Sequence, residues 1–416
     1  MKNTPLLAWL FLMTSNFATA QKIMGVEEII RAIDSSNPVA KMYEAQIRSM
    51  DEAAKGARSW MPTEFGTGLW MAPYNTSLWK KGADGTPGMG QYMVSVQQMF
   101  PNKKKQDAEE AYMKGMSAAD KERKKYDLNQ LYAAAKKNFY SWLFIKRKIS
   151  LLDENKSLLD LMIKDAEIRY RNSLDRMSAY YKAKAAVGNN MNNRIALENE
   201  IAQKRIQLNT FMNRDKYVPF DIDTAFSIKG FSASSVDTNY LINRSDIRAI
   251  DRDIALTALQ QVAEKQKTKP EFGIRYENMF GFGGLPMQYT LMGMARIPIG
   301  KANRMPKANI ESLKWKSEAL TKQKEMLLNE LSGMAAGTIG EYDSKKRQVA
   351  LYEENILPAV RKNYQVTQSG YQQNTEQLPA LFEAWDILNK ASLEHLELLQ
   401  QLMDVRVELE RIFEIK

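Results

Sequence analysis

Cysteine and histidine, which often act as nucleophiles, bases or zinc ligands, are almost absent from this chain. Its 416 residues include no cysteine and a single histidine, His395. No cysteine or second histidine is present to complete a zinc site or a catalytic triad around His395. We therefore interpret His395 as a packed or solvated helix residue. The sequence therefore offers no catalytic triad and no zinc site, and we expect no catalytic residue, no cofactor and no bound metal.

Two other features could bind small ligands. The chain contains 24 methionines, and thioethers are ligands for soft ions such as Cu(I), although methionine more often serves as flexible packing. A glycine-rich run at 281–286 faintly resembles a phosphate-binding loop. That run lies between two strand-like segments and not before a helix, so it does not predict nucleotide binding. No aromatic-interleaved basic groove indicates nucleic acid.

The first 20 residues have the pattern of a secretory signal peptide. Lys2 supplies the charge, an apolar run covers 6–13, and small residues at 18–20 form a cleavage site. The alternative is an uncleaved membrane anchor, but the apolar run is too short to span a bilayer. No later stretch of about 20 apolar residues follows, so we expect no transmembrane helix.

The order of elements occurs twice along the chain. A helical pattern begins at Asn37, and a second begins at Arg244; each is followed by two alternating segments and then by a very long helix. We predict an internal duplication, with one repeat at 21–242 and the other at 243–416. Residues 213–242 would link the two repeats.

Four segments alternate apolar and polar residues, near 63–74, 91–100, 271–280 and 287–297. Each has about the length of a tilted membrane-spanning strand. The apolar sides carry Val94, Ile274, Tyr289 and Leu291, which we predict to face lipid. The alternative is a water-exposed sheet packed on a core, because it shows the same period. Basic residues that follow the second and fourth segments would contact phospholipid headgroups or simply be solvated: Lys103, Lys104, Lys301 and Arg304.

Long helical hairpins account for most of the remaining sequence. The patterns at 103–211 and 303–413 are helical apart from one short break each, so each predicts two antiparallel helices. The breaks contain Asn172, Ser173, Leu174 and Asp175 in the first hairpin, and Asn374 and Thr375 in the second.

Four strands are too few to form a membrane barrel within one chain. An open sheet edge is not stable in lipid, and the smallest transmembrane barrels have about eight strands. Several copies must therefore share one barrel. Both two and three copies would satisfy this minimum.

The chain resembles the TolC-like outer-membrane efflux proteins over essentially its whole mature length. The resemblance lies in short motifs whose joint order and spacing are specific: Asn37-Pro38, Trp60-Met61-Pro62, Arg244-Ser245-Asp246-Ile247, Ile356-Leu357-Pro358, Tyr364, Tyr371 and Leu381-Phe382-Glu383-Ala384. It implies a mixed α/β membrane protein in which three chains form a 12-stranded β-barrel in the outer membrane of a Gram-negative-type cell. Coiled helical hairpins would continue that barrel as a periplasmic tunnel.

The resemblance also implies a function and its sites. Such a channel passively exports compounds delivered by an inner-membrane pump through a periplasmic adaptor. The helical breaks would be hairpin tips that dock the adaptor. The family's acidic pore aperture corresponds to Glu376, Ala380 and Glu383, where Ala380 lacks the carboxylate. Family breaks usually contain glycine, whereas the corresponding positions here are Ser173 and Asn374.

Two alternatives to a general efflux channel remain. Residues 97–103 connect the second strand-like segment to the long helix that follows. This connection loosely resembles that of family members serving heavy-metal pumps of the copper and silver type. A soluble periplasmic coiled-coil adaptor would also contain long helical hairpins, but it would not need four lipid-facing strands.

Overall fold

A computed structural model of the chain describes residues 22–172, 177–225 and 238–415. Its helices and strands follow in this order: β1 (Lys22–Met24), α1 (Val26–Ser36), α2 (Pro38–Lys55), β2 (Glu64–Trp70), β3 (Gln91–Phe100), α3 (Lys103–Arg171), α4 (Met177–Phe211), β4 (Phe220–Ile222), α5 (Ser245–Gln266), β5 (Glu271–Gly281), β6 (Gln288–Arg296), α6 (Arg304–Leu351), α7 (Leu357–Gln372) and α8 (Leu378–Ile412). Helices predominate, and β2, β3, β5 and β6 lie near the four segments that alternate in sequence. No described helix is long and apolar enough to cross a membrane.

The chain forms two compact units, and each takes segments from both predicted repeats. The helical unit comprises residues 1–37, 131–231 and 341–407, as far as these are described. The sheet unit comprises residues 38–130, 232–340 and 408–416, with the same restriction. The division therefore does not follow the boundary between 242 and 243, and the duplication remains a prediction.

The main sheet has four antiparallel strands in the order β2-β3-β5-β6. Strands β3 and β5 pair from Gln91 opposite Gly281 to Phe100 opposite Phe272. The sequence predicted the bounds of β3, and it placed β5 and β6 to within one residue at each end. Strand β2 ends at Trp70, before the predicted limit at 74, because Met71 has a left-handed φ of 49° and Pro73 has no N–H to donate.

In the helical unit, α7 and α8 pack with α3 around buried apolar side chains. This core comprises Leu159, Met162, Ala166, Tyr364, Tyr371, Leu378, Leu381, Ala384 and Trp385. The predicted continuous helix from 303 to 373 is interrupted at Tyr352–Ile356, which forms one π-helical turn. Pro358 follows at the start of α7, where its missing N–H leaves the carbonyl of Glu354 without an α-helical partner.

A small second sheet was not predicted. Strands β1 and β4 pair in parallel, with Lys22 opposite Phe220 and Met24 opposite Ile222. Phe220 is fully buried, and its ring meets that of Trp142 at 5.2 Å in an edge-on arrangement. Part of the predicted linker thus joins the core of the helical unit, whereas its residues 226–237 lie outside the described ranges.

Candidate functional site

One face of the main sheet exposes apolar side chains. Leu291 is 68% exposed, Tyr289 73% and Phe65 79%. The register places Tyr276 between Val96 and Leu291, so apolar side chains form rows across the strands. All four residues predicted to face lipid lie exposed on this face: Val94, Ile274, Tyr289 and Leu291. A sheet packed on a water-soluble core would bury these positions; their contact with lipid remains a prediction.

On the opposite face the central strands β3 and β5 carry buried polar side chains, whereas three side chains of edge strand β6 are exposed there: Gln288, Met292 and Arg296. Glu277 and Ser95 are buried there, and the Glu277 carboxylate pairs with Arg275, with 2.6 Å between Oε1 and Nη2. Glu271 is also buried, and its Oε1 lies 2.5 Å from Nζ of Lys105. In the central strands β3 and β5, the burial pattern is therefore the reverse of that in a water-soluble protein.

The sheet has two open edges. Within the described residues, β2 pairs only with β3, and β6 pairs only with β5. Each edge presents a row of backbone N–H and C=O groups without a strand partner. Such groups need a partner wherever water is excluded.

Predicted headgroup contacts lie beside exposed apolar side chains. Lys103 and Lys104 are exposed after β3, and Lys301 and Arg304 are exposed after β6. In the part of the chain that the structure describes, none of these four side chains forms an ion pair. Their apolar neighbours in sequence are largely solvent-facing: Ile297, Ile299 and Met305. Headgroup contact remains a prediction, and the arrangement favours it over simple solvation.

The second hairpin break is a tight turn between α7 and α8. Asn374 has a φ of 59°, so it adopts the left-handed conformation that asparagine tolerates and that we expected here. The backbone N–H of Thr375 donates to the carbonyl of Gly370 at 2.9 Å. At the first break, Asn172 ends α3 by donating its N–H to the carbonyl of Ile168. Ser173, Leu174 and Asp175 lie outside the described residues.

The three predicted aperture residues lie at the second hairpin turn and in the first turns of α8. Glu376 and Glu383 are exposed, and Ala380 is partly buried. Glu376 precedes the first residue of α8, Leu378, so helical periodicity does not relate its direction to that of Glu383. The seven-residue spacing therefore gives no argument that both carboxylates point the same way, and their role in a pore remains a prediction.

A polar network beside this turn was missed in the sequence. The hydroxyl of Tyr371 donates a hydrogen bond to the carboxylate of Asp165. Arg169 lies over the Tyr371 ring at 4.5 Å, and its Nη2 donates to Oδ1 of Asn374 at 2.9 Å. The network fixes α7 and its turn against α3. Its partners lie more than 200 residues apart, so no local pattern indicates their pairing.

His395 has a structural environment. Its Nε2 lies 3.2 Å from a carboxylate oxygen of Glu353, and its ring stacks on Tyr352 with 6.4 Å between centroids. The Tyr352 hydroxyl donates to Glu394 at 2.7 Å, which raises the pKa of Tyr352. Among the described residues, no group of three or more His, Cys, Asp or Glu side chains is placed to hold a metal ion.

Solved structures share the fold of this chain, with its four-stranded sheet and its long helical hairpins. The chain matches VceC, an outer-membrane protein from Vibrio cholerae, with a TM-score of 0.70 and 14% identity over 93% of this chain and 95% of that one. The MtrE outer-membrane channel of Neisseria gonorrhoeae matches with a TM-score of 0.69 and 13% identity over 93% and 88% of the two chains.

CusC, whose crystal structures concern its folding and transmembrane channel formation, also matches. The TM-score is 0.74, with 12% identity over 93% of this chain and 91% of that chain. The TolC-like fold predicted from the sequence is therefore confirmed. No protein-family model matches the sequence, and no curated protein is similar to it. At these identities, structural likeness establishes the fold alone.

Proposed function

We propose that this protein is a passive exit channel in the outer membrane of a Gram-negative-type cell. The observation that carries the proposal is the reversed pattern of β3 and β5, whose apolar side chains are exposed on one face and whose polar side chains are buried on the other. Such a sheet is stable where one side contacts lipid and the other lines a polar interior. The shared fold with outer-membrane channels supports the same location. The channel's task is transport, not catalysis.

The barrel of this channel is shared between copies of the chain. Edge strands β2 and β6 would pair between neighbouring copies, and this satisfies every backbone group at the open edges. Three copies of four strands give a closed barrel of twelve. The family resemblance favours three copies over two, and a cyclic trimer also suits a ring of helical hairpins.

The channel would be the last part of a tripartite efflux system. The hairpin ends near Asn172 and Asn374 would dock a periplasmic adaptor, which connects them to an inner-membrane pump. The Tyr371–Asp165 hydrogen bond supports this role because it holds the turn of the second hairpin in a defined position. Glu376 and Glu383 would line the narrowest part of the pore.

The alternative class, a soluble periplasmic adaptor, is disfavoured by the same sheet. An adaptor in water would have to expose Phe65, Tyr289 and Leu291 without compensation. Contiguous apolar patches of this kind are rare on soluble proteins unless they mark an interface.

The test is to extract the mature protein and measure its assembly and conductance. We expect it to require detergent, to have three times the mass of one chain, and to conduct potassium ions in planar bilayers. A monodisperse, detergent-free monomer would contradict both the barrel and the channel. A trimer that does not conduct would contradict the channel alone.

A further inference from the structure

One glycine in the second hairpin lies where the backbone does not require it. Gly370 is in the last turn of α7, and it is not among the residues with a left-handed φ. Glycine at such a position destabilises a helix relative to alanine, because it loses more conformational freedom on folding. The structural reason for a glycine here therefore has to be the space beside it.

That space is occupied by the side chain of Glu376. A Cβ atom at Gly370 would lie 2.7 Å from Cγ of Glu376 and 3.2 Å from Oγ1 of Thr375. Carbon atoms in contact are normally about 3.5–4.0 Å apart, so an added methyl group would displace Cγ of Glu376 by about 1 Å. The aliphatic stem of Glu376 thus lies directly against the backbone of Gly370.

Gly370 also fixes the main chain that carries this glutamate. Its carbonyl oxygen accepts hydrogen bonds from the N–H of Thr375 at 2.9 Å and from the N–H of Glu376 at 3.2 Å. The hydroxyl of Thr375 donates to the same oxygen at 3.0 Å. The carboxylate of Glu376 is exposed, and within the described residues no ion pair directs it. Its direction is therefore set by the two contacts of Glu376 with Gly370, one through the backbone and one through the stem.

We infer that Gly370 is a positioning residue, which sets the place of the Glu376 carboxylate in the pore aperture. The inference rests on the proposed aperture and adds what orients one of its carboxylates. Threefold symmetry would repeat any displacement at three carboxylates. If each recedes by about 1 Å from a divalent cation that is about 4 Å away, Coulomb's law in water weakens the binding of that cation by about eightfold.

The test measures how MgCl₂ blocks the potassium current of the full mature channel in planar bilayers. The variants are Gly370→Ala, Glu376→Gln and the combination of the two. The control is Gly337→Ala on α6, because a Cβ atom there would meet no atom within 4 Å. The melting temperature of each variant is measured separately, so that an effect on stability is distinguished from an effect on the aperture.

We expect Gly370→Ala to change the Mg²⁺ concentration for half block by up to about eightfold, without lowering the melting temperature, and Gly337→Ala to leave the block unchanged. In the Glu376→Gln background, Gly370→Ala should have no further effect on block, because the charge that it displaces is gone. Altered block in Glu376→Gln combined with wild-type block in Gly370→Ala would refute the positioning role alone. An equal effect of Gly370→Ala with and without the carboxylate would also refute it.

A second variant keeps the test decisive if Gly370→Ala does not assemble. Gly370→Ala combined with Glu376→Ala removes the Cγ atom that the added methyl group would meet, so this pair should assemble where the single variant does not. Failure of both would overturn the inference, since the conflict would then lie elsewhere. Wild-type block in Glu376→Gln would refute the aperture and this inference with it, whereas a wild-type protein without any current would refute the channel itself.

Discussion

At the scale of single residues, Asp404 is a carboxylate whose environment disfavours its charge. It lies partly buried on α8, and this burial raises the pKa of its carboxyl, while Lys137 and Lys204 partly oppose the shift. Its pKa in the folded state is therefore above that in the unfolded state. The folded state gains stability from the protonated carboxyl at low pH, and it loses this gain as pH rises through the folded-state pKa.

We expect Asp404→Asn to stabilise the protein at neutral pH. The amide cannot ionise, so the desolvation cost of the carboxylate disappears, and the melting temperature should rise by about 2 °C. The difference from wild type should shrink as pH falls through the raised folded-state pKa and should vanish below the ordinary pKa of aspartate. Asp386→Asn is the control, because that carboxylate pairs with Lys390 on the same helix. A lower melting temperature for Asp404→Asn at neutral pH would show that the lysines dominate.

The aperture carboxylates allow a second test at this scale. Threefold symmetry would make each a ring of three carboxylates, which attracts cations and sets conductance at a constriction. Glu376→Gln and Glu383→Gln should each be examined by single-channel recording of ion selectivity and of block by divalent cations. Because the two residues are not related by helical periodicity, one variant should change selectivity more than the other. Unchanged selectivity and block in both would place them outside the pore.

At the scale of elements, the two faces of β6 should differ in tolerance to a charge. Leu291 is exposed on the apolar face, whereas Gln288 belongs to the opposite face. Leu291→Arg should cost about 2–4 kcal/mol of membrane stability because arginine near the midplane of a bilayer is desolvated. Gln288→Arg introduces the same side chain toward the interior and is the matched control. Assembly is measured as the fraction of trimer in the membrane, and equal yields would refute the face assignment.

Substitution of Arg275 is a less suitable control for Leu291→Arg than substitution of Gln288, although both residues lie on the same face of the sheet. The guanidinium of Arg275 pairs with the buried carboxylate of Glu277. Removing it would leave that charge without compensation, which costs several kcal/mol at a buried site. Alternation in the sequence shows that Arg275 lies on the face opposite the apolar one, but it does not show which partner the side chain has there.

Sequence reasoning succeeded for elements with long, regular patterns. Strand β3 was predicted because ten alternating residues carry a strong period of two. Strands β1 and β4 were missed because three residues each carry no detectable period. The π-helical turn at Tyr352–Ile356 was missed because its residues are ordinary helix formers. The Tyr371–Asp165 contact near the hairpin turn was missed because it depends on how helices distant in sequence pack together, which no local sequence pattern indicates.

At the scale of the whole molecule, closure of the barrel requires β2 of one copy beside β6 of another. The natural chain has no cysteine, so introduced cysteines give an unambiguous readout. Thr67→Cys on β2, combined in turn with Tyr289→Cys, Leu291→Cys or Ala295→Cys on β6, should yield disulfide-linked dimers and trimers for at least one pair. The readout is non-reducing electrophoresis after mild oxidation in membranes.

The control pair is Thr67→Cys with Tyr276→Cys. Tyr276 lies on β5, which already has a strand on either side, so it should not cross-link to another copy. Cross-links in this control but in none of the β6 pairs would show that copies do not meet edge to edge.

The exposed apolar face makes the unassembled single chain prone to aggregation. Before assembly, the open strand edges are able to pair with strands of other chains, and the exposed aromatic side chains are able to bind other hydrophobic surfaces. Both contacts lead to aggregation. If another copy covers the edges, as proposed, folding and association become one reaction, whose yield depends steeply on protomer concentration. Overproduction outside a membrane should therefore give insoluble protein, and the capacity of the cell to escort and insert the chain would limit the number of functional channels.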